Sequence, residues 1–149
     1  LGTGSMAGWA RPNRRITFFD IDPQVPGIAS RFFTYLRRCD TGCGIIIGDG
    51  RLSIEKTPNG TFDVLMLDAF NSDSIPAHLV SREAVAAYIK TLKPGGLILF
   101  HVSNRYMDVE GLVSVVALDA GLQGLIRYDD DEGPTGKTSS DYVVAARSR

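Results

Sequence analysis

The chain has 149 residues, 44% of them apolar and 22% charged, with a formal net charge of −1. That length suits one domain with a sizeable core, the apolar fraction excludes a disordered chain, and the near-zero charge argues against a nucleic-acid site built on a basic patch. No apolar run approaches the roughly 20 residues of a spanning helix and no secretory leader opens the chain, while two cysteines are too few for a disulfide framework and point to a reducing, cytoplasmic compartment.

The chain opens on Leu1-Gly2-Thr3-Gly4-Ser5, a glycine-rich loop with no strand feeding it. Ser5 to Ala10 is a short helical stretch, stopped by Pro12. Ile16-Thr17-Phe18-Phe19 is a β-rich run ending in Asp20-Ile21-Asp22-Pro23. Pro23 to Leu36 is loosely helical, with Pro26 tolerable in the first turn. Ile45-Ile46-Ile47 is a second apolar run, ending in Gly48-Asp49-Gly50, and Gly50 to Lys56 is helical up to the Pro58-Asn59-Gly60 turn. Phe62 to Leu67 is a third run and ends in Asp68. Ser81 to Leu92 is the clearest helix: Ser81 suits an N-cap, Glu83 lies in the first turn, and Val85, Ala86, Tyr88, Ile89 and Leu92 line an apolar face. Lys93-Pro94-Gly95-Gly96 leads into a fourth run, Leu97 to Val102. Asp108 caps a helix to Ala120, which Gly121 ends. Gln123 to Tyr128 and Tyr142 to Ala146 then form an antiparallel hairpin around a polar loop starting at Asp129.

Continuous apolar runs alternating with helices predict strands buried on both faces, hence a parallel sheet. The expected fold is therefore an α/β sandwich, mostly parallel, with a C-terminal antiparallel hairpin. This layout resembles the Rossmann-like class I methyltransferase fold, with the strand that would precede Gly2 missing. Residues 1–149 are expected to form a single, N-terminally truncated domain. Loss of that strand would leave a gap between the strands ending at Asp20 and Asp68 and make the chain poorly stable alone.

In such sheets ligands sit beyond the carboxyl ends of the strands. Three successive runs end in an acid: Asp20, then Asp49, then Asp68. Any one of these is as well explained as a turn residue or an N-cap; three in register point to a ligand. Gly2 and Gly4 let backbone approach an adenosyl group or the amino-acid part of a sulfonium donor. Asp20, eighteen residues after Gly2, suits the two hydroxyls of a ribose, and Asp49 suits the exocyclic amine of adenine. Ile21 and Gly50, next to these acids, complete the candidate nucleoside contacts.

Together Gly2-Thr3-Gly4, Asp20-Ile21-Asp22-Pro23, Gly48-Asp49-Gly50-Arg51 and Asp68-Ala69-Phe70-Asn71-Ser72-Asp73-Ser74-Ile75-Pro76 resemble the spermidine synthase (polyamine aminopropyltransferase) family. The likeness extends to the bacterial spermidine-synthase-like domains fused behind a membrane transporter segment. What it implies is transfer of an aminopropyl group from decarboxylated S-adenosylmethionine to a diamine such as putrescine, without a metal, in a protein that usually dimerises. Asp68 would face the reacting amine and take its proton, with Asp73 pairing the distal ammonium. An amine titrating near 10 must be deprotonated before it attacks. One departure matters: the family carries two aspartates three residues apart in this loop, the second followed by proline, whereas Asp68 and Asp73 are five apart and Pro76 comes later.

That spacing keeps two alternatives open: a small-molecule methyltransferase using S-adenosylmethionine, and a non-catalytic nucleoside- or polyamine-binding module. A nicotinamide-dinucleotide enzyme is disfavoured by Asp49 and the terminal hairpin. Cys39 and Cys43 lack further metal ligands nearby. His78, after Pro76, is read as structural or solvent-facing, and His101 ends a strand, where side chains face the site. Phe18, Phe19, Phe32 and Phe33 are assigned to the core, and Trp9 to local packing.

Overall fold

A computed structural model describes residues 1–39, 42–68, 76–104, 106–130 and 139–148. Six strands are present: β1 (Ile16–Asp20), β2 (Cys43–Ile47), β3 (Phe62–Leu67), β4 (Leu92–His101), β5 (Leu122–Asp129) and β6 (Ser140–Arg147). The helices are α1 (Val25–Phe32), α2 (Gly50–Glu55), α3 (Arg82–Thr91) and α4 (Val109–Asp119). The chain forms two compact units, residues 1–56 and 57–149.

In the first unit β1 and β2 pair in parallel, with Asp20 opposite Ile47. The glycine loop leads into a 3-10 turn, Ser5–Trp9, rather than an α-helix. The helical stretch expected over residues 23–36 divides: α1 stops where Phe33 turns extended, and a separate 3-10 turn covers Leu36–Arg38. A small core gathers Ala7, Phe18 and Cys39, with Leu1, Ala10, Ile16, Leu36 and Cys43 against it.

Several expectations are corrected in this unit. Ile45, Ile46 and Ile47 are 38–45% exposed rather than buried on both faces, because this two-stranded sheet carries only short elements to cover it. Phe32, Phe33 and Trp9 are exposed, so neither Phe32 nor Phe33 belongs to a core; the Arg31 guanidinium lies over the Phe32 ring, 5.3 Å from its centroid. Cys39 and Cys43 are joined in a disulfide, with Cα atoms 5.8 Å apart, within bridging range. The expectation of a reducing compartment rested on two cysteines being too few for a disulfide framework, and this single disulfide does not bear it out. Among the described residues, no helix is long and apolar enough to cross a membrane.

The second unit is a four-stranded sheet in the order β3-β4-β6-β5. β3 and β4 are parallel; β4–β6 and β6–β5 are antiparallel, so the terminal hairpin is present and the sheet is only partly parallel. No pairing among the described residues joins β1 to β3. β4 starts five residues early, at Leu92, because Lys93-Pro94-Gly95-Gly96 is looped out as a bulge between the Phe62–Leu92 and Val64–Leu97 pairs. A Cβ on Gly96 would lie 3.0 Å from the Lys93 carbonyl oxygen and 3.2 Å from that of Asp63, a tight approach that favours glycine. The expected caps form: Ser81 Oγ accepts from Ala84 N–H at 3.2 Å, and Asp108 Oδ1 from Gly111 N–H at 2.7 Å. Tyr88, Val85, Ile98, Phe100, Val109 and Val113 fill the core.

Candidate functional site

The first unit presents its ligand candidates at one edge, because β1 and β2 are parallel and both end there. The Gly48 N–H donates to the Asp20 carbonyl at 2.8 Å, bringing the Asp20 and Asp49 strand ends together. The Gly4 N–H donates to the Leu1 carbonyl at 3.0 Å, which closes the glycine loop as a turn. Gly2 and Gly4 both take left-handed backbone, φ 54° and 80°. They differ in surroundings: a Cβ on Gly2 meets open space, whereas one on Gly4 would lie 2.9 Å from Leu36 Cγ. Gly4 is therefore explained by packing as well as by any ligand.

Asp20 is half-buried, and its Oδ1 accepts from Asp22 N–H at 3.0 Å. Asp49 has a local duty too: its Oδ1 accepts from Leu52 N–H at 2.9 Å and caps α2. Ile21, beside Asp20, is 72% exposed. Gly50 opens α2 with nothing within 4 Å of a would-be Cβ.

The second unit holds the amine candidate. Asp68 follows β3, and the parallel register that sets Leu67 opposite Phe100 places Asp68 beside His101. Asp68 Oδ1 lies 2.7 Å from His101 Nδ1, and His101 Nε2 lies 3.0 Å from Ser103 Oγ. Ser103 Oγ accepts the Asp141 N–H at 2.7 Å, tying the string to β6. The His101 ring stacks on Tyr142, with centroids 5.0 Å apart. The hydrogen bond from His101 holds the Asp68 carboxyl below the ordinary aspartate range, against the opposing pull of partial burial. Burial, and then the Asp68 carboxylate, push the Tyr142 hydroxyl up. The result is a half-exposed, ionised carboxylate, fixed at one oxygen, able to hold a cationic amine.

Asp73, the second expected acid, lies outside the described residues, as does the rest of the 69–75 stretch. His78 is exposed on a 3-10 turn, Ala77–Leu79. The Asp68–His101–Ser103 string was only partly legible. The sequence places both strand ends on the ligand side, but their contact follows from β3 and β4 being neighbours. Among the described residues no group of three or more His, Cys, Asp or Glu is placed to hold a metal.

Residues 11–114 match the model of the spermine/spermidine synthase domain. The chain belongs to the spermine/spermidine synthase family. It is 31% identical over 100 residues to a polyamine aminopropyltransferase of Vibrio vulnificus, covering 64% of this chain and 33% of that enzyme. It is 23% identical over 105 residues to putrescine N-methyltransferase 3 of Nicotiana tabacum, covering 69% of this chain and 28% of the relative. The structure resembles that of a probable spermidine synthase from Corynebacterium glutamicum, with a TM-score of 0.71 at 17% identity over 98% of this chain and 53% of the other. That likeness shows a shared Rossmann-like α/β fold. This family member thus spans about a third of the curated relatives' length.

Proposed function

We propose that the protein carrying this chain transfers the aminopropyl group of decarboxylated S-adenosylmethionine to a diamine, releasing methylthioadenosine. The observation that carries the reading is Asp68: an ionised, half-exposed carboxylate at the end of β3, held by His101, in a chain of the spermine/spermidine synthase family. We assign Gly2, Gly4, Asp20, Ile21, Asp49, Gly50 and Asp68 to the nucleoside donor, and Asp68 with Asp73 also to the amine. The single-domain organisation of residues 1–149 and a homodimeric protein are parts of the same proposal.

The donor supplies a sulfonium, already a good leaving group. Asp68 orients the acceptor ammonium and takes one of its protons. The freed nitrogen lone pair then forms the bond to the propyl carbon. The carbon–sulfur pair goes to sulfur, leaving a neutral thioether. Positioning supplies most of the acceleration, since neither bond change needs a redox group.

A second reading is methyl transfer to putrescine from S-adenosylmethionine, favoured by the likeness to the putrescine N-methyltransferases. Calorimetry with decarboxylated S-adenosylmethionine, S-adenosylmethionine and methylthioadenosine separates the two readings. Preference for the decarboxylated donor, with putrescine-dependent release of methylthioadenosine, is expected. Asp68→Asn should lower that release by at least about 100-fold. An unchanged rate removes Asp68 as the proton acceptor, and absence of binding by any of the three compounds sinks the reading.

A further inference from the structure

Asp68 is not alone at the end of β3. Its Oδ1 is occupied by His101 Nδ1 at 2.7 Å. An ionised carboxylate can only accept, so Nδ1 must carry a proton. The other ring nitrogen faces Ser103 Oγ at 3.0 Å. A hydroxyl both donates and accepts. With neutral imidazole, Ser103 donates its O–H to Nε2. With imidazolium, Nε2–H donates to Ser103 Oγ, which still accepts the Asp141 N–H through its second lone pair. The ring therefore fits the same seat in both charge states. The stack on Tyr142 fixes its plane in both.

What changes between the two states is the charge beside Asp68. Beside a neutral ring, Asp68 offers a full negative charge to an incoming ammonium. Beside a cationic ring, that charge is already neutralised, and a second cation meets repulsion. Histidine is the side chain whose ordinary titration lies nearest neutral pH. Among the described residues, the other ionisable groups around the ring are few. Tyr142 from β6 is held in its neutral form by burial and by Asp68. Asp141 meets the string through its backbone, and Asp129 at the end of β5 acts on the Tyr142 hydroxyl.

We propose that His101, seated by Ser103 and Tyr142, is a positioning residue that makes occupation of Asp68 by a cationic amine depend on imidazole protonation. This deepens the reading of Asp68 as the amine anchor and rests on it. Protonating His101 weakens diamine binding. By linkage, bound diamine lowers the midpoint of the His101 titration by the same factor.

The test uses the full protein with putrescine, in the presence of methylthioadenosine. Putrescine affinity is measured by calorimetry from pH 5.5 to 8 for wild type, His101→Gln and Ser103→Ala. The His101 ring is followed by NMR in wild type with and without putrescine. We expect the wild-type Kd to rise about tenfold toward the acid end, less than about twofold in His101→Gln, and the ring midpoint to fall when putrescine binds. Ser103→Ala, which removes only the hydroxyl, should shift the pH profile without abolishing binding. A pH profile in His101→Gln that matches wild type overturns the inference while leaving Asp68 as the anchor. If His101→Gln does not melt cooperatively, the wild-type NMR titration decides: a midpoint indifferent to putrescine overturns the inference. Failure of wild type to bind putrescine at any pH, together with no methylthioadenosine release, overturns the parent reading and this inference together.

Discussion

Asp68 and Asp49 both follow a parallel strand, one and two residues beyond its end, and yet do different things. Asp49 spends one oxygen on capping α2, the bland explanation open to any aspartate that precedes a helix. Asp68 caps nothing described; it pairs with an imidazole across two strands. The pairing also makes a stability prediction. Because the folded carboxyl titrates below the ordinary aspartate value, its contribution is fully present above that value and is lost as pH falls through the lowered one. Urea unfolding between pH 5 and pH 2.5 should show an acid loss of stability that is smaller in Asp68→Asn. Equal slopes in the two proteins would mean that the pair adds nothing to folding. At this scale the sequence revealed which residues were acidic, where each strand ended and that Asp49 could cap the helix after it; it did not reveal that Asp68 holds a histidine 33 positions away.

At the scale of elements, local chemistry explains most boundaries. Ser81 and Asp108 cap α3 and α4 as their side chains predict, since an N-cap needs only the next three residues. The early start of β4 was not legible, because the bulge exists only against Phe62 and Val64 on β3. The glycines sort in the same way. Gly4→Ala combines left-handed backbone with a contact to Leu36, and should destabilise by about 1–3 kcal/mol. Gly50→Ala faces open space in helical backbone, and should leave stability within about 1 kcal/mol while weakening nucleoside binding if the ligand backbone contact is real. Thermal melts paired with methylthioadenosine titration separate these effects. A Gly50→Ala protein that binds normally removes Gly50 from the nucleoside contacts.

At the scale of the molecule, the two compact units differ in how well they are covered. The second buries the largest fully buried side chains, while the first leaves three successive isoleucines of β2 partly exposed and closes its small core with the Cys39–Cys43 disulfide. Reducing that bond opens a short loop, a loss of roughly 2 kcal/mol in the chain-entropy picture. Hydrogen exchange after reduction should therefore quicken in residues 1–56 and change little in residues 57–149; uniform quickening would contradict this division. The sequence by itself determined the alternation of elements, the terminal hairpin and the acids at the strand ends, because periodicity, caps and turn residues act over a few neighbouring positions. Only the tertiary structure decided that the pairings fall into two sheets, that the two cysteines are bonded, and that Asp68 meets His101 and Ser103. Those facts depend on which strands lie side by side, and a strand's own residues do not record its neighbour.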